Sequence, residues 1–340
     1  MLFTEELKSL LKDSNTKLKE KYESQSNLSK DKLKQLISSK IGKFINLTQL
    51  NDLELKKFSK DRVIVGVDGS VNTQGKIYPH YITLLQALAK STDRKQSGVI
   101  RQQIFSPLIE DDKRNIIKKL SIANNQEGED NRVYAQEVAG KIKSSLLASL
   151  EVLVAKDSIL KWNPTLIMMD GSLTRYQNQA EKEWEELVEI ALNRDVIIVG
   201  VIEEIGTHDL SLTLGDENDF PTNMKDMYDR ELMFGLLDLG EMMIFDNVKD
   251  GLKKSFARIS NDPGVIGIDL LKEQEDSLEL VSNLIYSLTP KDGRGIPIWL
   301  DIVDEEVRIS NKMMEMIIDN YLDPSLKQRL FYSKRSDRVY

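Results

Sequence analysis

Val63-Ile-Val-Gly-Val-Asp68-Gly-Ser70 and Leu166-Ile-Met-Met-Asp170-Gly-Ser172 are two versions of one phrase. Each is a run of β-branched or apolar residues that ends in Asp-Gly-Ser. Each therefore predicts a buried strand that delivers a carboxylate to the carboxyl edge of a sheet, the edge where α/β proteins keep their chemistry. A single Asp-Gly-Ser after a strand is most simply a turn, since Asp-Gly is a common hairpin pair and Ser another turn former. A turn does not call for a carboxylate at the last strand position twice over, whereas a divalent cation needs oxygen ligands converging from neighbouring strand ends. The doubled phrase is read here as a candidate cation site.

The rest of the composition narrows the ligands to oxygen. The chain has no cysteine, which excludes disulfides, thiolate catalysis and cysteine-ligated zinc. With only His80 and His208 present, a histidine-rich metal site is excluded as well. At 340 residues and 40% apolar content the chain is expected to be globular, with one large domain or two. Its longest apolar stretch, Val196–Ile202, is too short to span a bilayer, and Met1-Leu-Phe-Thr-Glu-Glu-Leu lacks the layout of a signal peptide. No membrane association and a cytoplasmic location are expected.

Charge is spread unevenly. Residues 1–62 carry thirteen Lys and one Arg against nine acids, and residues 327–340 carry five basic residues against one acid. The chain as a whole is at −8, so the body between these ends is strongly acidic. Such a body does not suit a protein that coats duplex DNA over its whole surface. A strand held in a local groove, or a partner docked on the basic ends, remains compatible.

Periodicity gives the organisation. Leu7, Leu10 and Leu11, then Leu33, Leu36, Ile37, Ile41 and Ile45, predict helices over 4–58, punctuated by Ser-Gln-Ser at 24–26. The first strand is expected to end at Asp68 and to turn at Asn72–Gly75, with antiparallel strands at Tyr78–Leu88 and Val99–Ile104. Residues 110–131, which include Asn-Asn-Gln-Glu-Gly-Glu-Asp at 124–130, read as a polar excursion. A long helix over 132–157 with a Val138, Ile142, Leu146, Leu150, Leu153 stripe precedes the second Asp-Gly-Ser strand. A helix over about 177–193 and a buried strand at 196–202 come after it. Later strands are expected near 241–246, 255–259, 264–270 and 296–300, completing the same domain.

Three strands, helix, strand, helix, strand is an α/β order that resembles the ribonuclease H-like layout, a mixed sheet flanked by helices in which the first and fourth strands lie side by side. No glycine fingerprint, Walker loop or Gly-x-Ser-x-Gly elbow accompanies either strand, so dinucleotide binding, phosphate cradling and serine hydrolysis lack support. Two acids rarely suffice for two hard cations, and the helix between the strands is the place to find a third. Glu151, in Ala148-Ser-Leu-Glu151-Val-Leu, is a charge among apolar and small residues near the helix end. Glu137, fourteen residues earlier on the same helix, is the rival.

Val67-Asp68-Gly-Ser70, Leu150-Glu151 and Met169-Asp170-Gly-Ser-Leu173, followed by Val199-Gly-Val201, together resemble the NurA family of DNA-end-processing nucleases. A late Pro297-Ile-Trp-Leu-Asp-Ile-Val-Asp304-Glu-Glu-Val-Arg308 segment is similar to that family's carboxyl-terminal motif. The resemblance covers about residues 60–310. It implies a ribonuclease H-like nuclease domain that depends on Mn2+ or Mg2+, with two ions expected. It implies single-stranded endonuclease and 5′-to-3′ exonuclease activity in DNA end resection and double-strand break repair, a homodimer, and a HerA-type hexameric ATPase as partner. Carried over residue by residue, Asp68, Glu151 and Asp170 would be the catalytic, metal-binding carboxylates, with Asp304 as a further metal ligand. The implied domains are a helical arm at 1–60 for dimer or partner contact, a NurA-like domain at 61–326 and a basic tail at 327–340.

The chain departs from the family pattern twice. Val201-Ile-Glu203-Glu204 stands where a lysine often comes after the second acidic strand, and Asp304 stands where a histidine is common. An aspartate binds metal but is a poor acid at neutral pH, and the same residue would serve as a helix N-cap before Glu305-Glu-Val-Arg308. His208, in Gly206-Thr-His-Asp209, is either a phosphate contact or an exposed loop residue. Gly69 and Gly171 are expected to leave room for a sugar-phosphate backbone, and Ser70 and Ser172 to bond the acids or cap the next segment. Two function classes are open: an active DNA nuclease, or a non-catalytic NurA-like subunit that docks on and regulates a DNA-translocating ATPase.

Overall fold

The structure, a computed structural model, describes residues 3–23, 28–93, 95–123 and 131–331. The punctuation at 24–26, the polar run at 124–130 and most of the basic tail lie outside the described residues. In chain order the elements are α1 (Glu5–Glu23), α2 (Lys30–Lys40), β1 (Gly42–Asn46), α3 (Asp52–Ser59), β2 (Ile64–Ile77), β3 (His80–Ser91), β4 (Val99–Phe105), α4 (Glu110–Ala123) and α5 (Asn131–Trp162). Then come β5 (Leu166–Asp170), α6 (Leu173–Gln179), α7 (Glu181–Asn193), β6 (Ile197–Ile202), α8 (Asp209–Leu214), α9 (Asp229–Met233), β7 (Glu241–Phe245), β8 (Leu252–Arg258) and β9 (Ile266–Leu271). The chain closes with α10 (Leu278–Ser287), α11 (Ile298–Val307), α12 (Asn311–Tyr321) and α13 (Pro324–Leu330). Among the described residues no helix is long and apolar enough to cross a membrane.

The chain forms two compact units, each built from two separated segments: Leu50–Val201 with Pro297–Tyr340, and Met1–Gln49 with Ile202–Ile296. In the first, the strands run β4-β3-β2-β5-β6. β3 is antiparallel to both β2 and β4, whereas β2 and β6 are parallel to β5 on either side of it. Numbered within this unit the order is 3-2-1-4-5 with only the second strand reversed, the ribonuclease H-like arrangement expected from the sequence. β5 shows why: Leu166, Ile167, Met168 and Met169 are all buried, as a parallel strand covered on both faces must be. α5 packs on β2 and β3, and α11 packs on the same two strands. Val138, Ile142 and Leu150 of the expected stripe are buried, and so are Val152, Val154, Ala155 and Ile159, so α5 is wrapped well beyond one face near its carboxyl end.

The second unit is antiparallel. Its strands run β1-β7-β8-β9, and Ile37, Ile205, Leu210, Leu214, Met233, Leu237 and Met243 are among the residues of its core. Ser29 caps α2 by accepting from Lys32 N (3.3 Å).

Several sequence expectations are corrected. The helical reading of 4–58 is interrupted by β1, which pairs with β7. Residues 110–123 are helix α4, not an irregular excursion. The segment near 296–300 begins helix α11, whose Trp299, Leu300, Val303 and Val307 are buried at helical spacing. The first strand does not stop at Asp68: β2 continues to Ile77, because β3 is long enough to pair with it from Ser91 back to His80. The chain reverses around the cis Tyr78–Pro79 bond instead of at 72–75.

Candidate metal centre

Asp68 and Asp170 are set by strand register. Val67 of β2 lies opposite Met169 of β5 in parallel pairing, so the next residue on each strand, the aspartate, leaves the pair at the same level on adjacent strands. Aligned residues of neighbouring strands point to the same face. Asp68 is 8% exposed, and its Oδ1 accepts from the Gly69 N–H (2.7 Å). β5 ends at Asp170, and Gly171 comes next with φ +110°, a left-handed value that favours glycine. The turn is held by Gly171 N–H donating to Val201 O (2.8 Å).

Glu151 arrives from α5. It is 1% exposed, and its carboxylate lies against the backbone of Gly69: a Cβ added there would stand 2.9 Å from Glu151 Cδ and nearer still to Oε1. Gly69 thus makes room for Glu151, where the sequence suggested room for substrate. Glu137, the rival, is exposed and paired with Lys141 on the same helix (2.7 Å). Asp304 lies inside α11, which rules out its role as an N-cap, and pairs with Arg308 one turn on (3.0 Å).

The electrostatics tie these residues together. Burial raises the Asp68 carboxyl most, and the charges of Asp170, Glu151 and Asp304 raise it further, to about 8, against the Gly69 N–H. Burial raises Glu151 too, opposed by the Arg175 guanidinium and the Tyr176 hydroxyl. Negative charges brought together away from water resist ionisation, and a bound cation relieves that cost. The donors are all carboxylate oxygens, the chemistry that suits Mg2+ or Mn2+. Among the described residues, no three Asp, Glu or His side chains are already arranged as a cage for a metal ion. Glu151 is instead engaged by Arg175.

Arg175 and Tyr176 are the residues that sequence reasoning missed. Ser172 caps α6 by accepting from Thr174 N (3.2 Å), as its position suggested. That cap places Arg175 in the first helical turn, where its Nη2 pairs with Glu151 Oε2. Tyr176 is fully buried, donates from its hydroxyl to Asp170 O (2.9 Å) and stacks on Trp184 with ring centroids 6.1 Å apart. Ser70 does not cap a helix; its Oγ accepts from the Ile309 N–H (3.0 Å).

The remaining candidates belong to the antiparallel unit. His208 sits with Nδ1 3.1 Å from Met227 O and its ring 3.9 Å from that of Tyr228. Glu203 pairs with Arg294 (3.0 Å).

Residues 62–309 match the family model of the NurA domain. No curated protein matches the chain in sequence. Solved structures similar to it include endonuclease V from Bacillus subtilis, at 15% identity and TM-score 0.39 over 82% of this chain and 89% of that one. The catalytic domain of human endonuclease V is similar at 13% identity and TM-score 0.37, over 94% and 98%. Endonuclease V of Ciona intestinalis, in complex with a 24mer DNA containing an inosine followed by a ribo-adenosine, is similar at 12% identity and TM-score 0.36, over 84% and 96%. The strand order gives the fold and the family model, which spans most of the chain, gives the kinship: the chain belongs to the NurA domain family.

Proposed function

We propose that this protein is a divalent-metal-dependent DNA nuclease in which Asp68, Glu151 and Asp170 hold Mn2+ or Mg2+, two ions in all, with Asp304 as a further ligand. The observation that carries the reading is the clustering of acids on Asp68: two strands and one helix aim carboxylates at one buried place, at an electrostatic cost that a structural role would not require. Divalent cations held there would supply an activated water and charge stabilisation at the leaving oxygen of a phosphodiester. The chain's own residues do the positioning. The parallel register of β2 and β5 fixes the two aspartates, Gly69 admits Glu151, and Tyr176 braces the carbonyl of Asp170.

The family also supports the finer reading: single-stranded endonuclease and 5′-to-3′ exonuclease activity at DNA ends during double-strand break repair, a homodimer, and a HerA-type hexameric ATPase as partner. The test is linear single-stranded DNA carrying a 5′ or a 3′ label, incubated with the protein in Mn2+, in Mg2+ and in EDTA, beside the Asp170→Asn variant. Metal-dependent degradation that disappears in the variant is the expected result, and the label released first as mononucleotide gives the polarity. A second reading, a non-catalytic subunit that docks on a DNA-translocating ATPase, draws on the acidic body between basic ends and on Val201-Ile-Glu203-Glu204, where the resemblance leads one to expect a lysine. It is upheld if neither cation supports cleavage with or without that ATPase.

A further inference from the structure

The chain already places a positive charge on the carboxylate cluster. Arg175 pairs with Glu151, whose side chain is 2% exposed, while 32% of the Arg175 side chain reaches solvent. Its Cζ lies 4.9 Å from the Tyr176 ring centroid, and its Nη1 would stand 3.5 Å from a Cβ at Gly171. The guanidinium therefore lies between the turn after Asp170 and the acid on α5, within electrostatic reach of Asp68 as well. Its contact on Glu151 uses an oxygen that a cation would need.

We propose that Arg175 is an internal counter-ion for Glu151 in the cation-free protein and becomes a phosphodiester-binding residue when Glu151 turns to a divalent cation. The inference rests on the metal-dependent nuclease reading above. Its physical basis is an exchange of like for like. Arg175 pairs a carboxylate in one state and a phosphate in the other, both anions that a guanidinium grips with two parallel N–H groups. Its partial exposure and its place in the first turn of α6 let the head group move without unwinding the helix. A guanidinium beside the scissile phosphate stabilises charge that grows in the transition state.

A residue that only props Glu151 in place and a residue that competes with the cation move cation affinity in opposite directions. The experiment is calorimetric titration of Mn2+ into the full chain without DNA, for wild type, Arg175→Gln, Arg175→Lys and Asp170→Asn. If Arg175 competes, Arg175→Gln binds Mn2+ more tightly, on the order of tenfold, the size of one charge acting on a buried neighbour, yet cleaves labelled DNA more slowly. Arg175→Lys stays near wild type in affinity. Equal or weaker Mn2+ binding by Arg175→Gln overturns the proposal and leaves the nuclease reading standing. Wild type that binds no better than Asp170→Asn overturns the metal site itself, and this proposal with it.

A second measurement needs no variant. Modification of Arg175 by phenylglyoxal, followed by peptide mass, is expected to be slow in EDTA and several-fold faster at saturating Mn2+. A rate that is unchanged or lower in Mn2+ overturns the exchange.

Discussion

Asp68→Asn reads the cluster directly through pH. In the folded protein the Asp68 carboxyl is raised from 3.8 to about 8, first by burial and then by the acids around it. Between those values the unfolded chain has released the proton and the folded chain keeps it, so folding takes up a proton and stability falls as pH rises. The loss begins near the unfolded value and is complete above the folded one. By linkage, a shift of that size lowers stability by about 2 kcal/mol at pH 5 and about 4 kcal/mol at pH 7, relative to a side chain that does not titrate. Asparagine does not titrate. Urea unfolding of wild type and Asp68→Asn in EDTA should therefore show the variant gaining about 3 kcal/mol on wild type between pH 5 and pH 7, at about 1.4 kcal/mol for each pH unit. Millimolar Mn2+ should raise wild-type stability at pH 7 and leave the variant nearly where it was. A difference between the two proteins that stays flat from pH 5 to pH 7 would refute the reasoning, because it would mean that neither burial nor the surrounding acids hold the proton on Asp68.

Three further outcomes are expected from the geometry. Gly69→Ala puts a methyl group where Glu151 lies; it should cost about 1–3 kcal/mol in thermal or urea unfolding and depress cleavage sharply with every carboxylate still present. Asp304→Ala breaks a partly exposed pair with Arg308, so stability should move by less than about 1 kcal/mol; calorimetry should nonetheless show weaker Mn2+ binding if Asp304 is a ligand. Glu137→Gln, at an exposed position on α5, should leave both Mn2+ affinity and DNA cleavage at wild-type values, and a loss of either would reopen the choice of third acid.

The sheet of the carboxylate unit was legible because its strands announce themselves locally. Leu166–Met169 is apolar at every position, which only a strand covered on both faces tolerates, and Glu151 is a lone charge on a segment of α5 that is otherwise buried or small. Other features were hidden by ambiguity of period. Pro297-Ile-Trp-Leu-Asp-Ile-Val carries enough β-branched and aromatic residues to read as a strand, and only the spacing of Trp299, Leu300, Val303 and Val307 reveals the helix. Asn72-Thr-Gln74 has turn composition yet stays in the strand, because β3 offers Leu84, Thr83 and Ile82 as partners, and the register shifts only beyond Gln74, at Gly75 with its φ of +96°; tertiary pairing overrode local preference there. Arg175 was invisible for a different reason. A cation in the first turn of a short helix looks like a surface residue, and nothing in its neighbours announces a buried acid arriving from α5.

The doubled Asp-Gly-Ser also conceals a division of labour that the alphabet cannot express. The two serines are chemically identical and each sits two residues after an acid, but they act on different partners. Ser172 ends a strand and starts a helix, and by capping α6 it sets the turn that carries Arg175 and Tyr176 to Glu151 and Asp170. Ser70 lies within a strand that continues, so it has no helix to cap. Its Oγ takes the Ile309 N–H (3.0 Å), Asn72 Nδ2 donates to Ile309 O (2.8 Å) and Gln86 Nε2 donates to Val307 O (3.0 Å). Three side chains of β2 and β3 thereby hold the backbone just past α11, and α11 is the helix that brings Asp304 back from the far end of the chain. The family match ends at residue 309, the residue that Ser70 holds. Each serine thus positions a charged residue beside the carboxylate cluster: Arg175, which pairs with Glu151, in one case, and Asp304, whose charge raises the Asp68 carboxyl, in the other. Ser70→Ala would be expected to loosen the return of α11 and to weaken whatever Asp304 contributes, while leaving the pairing of β2 with β5 intact.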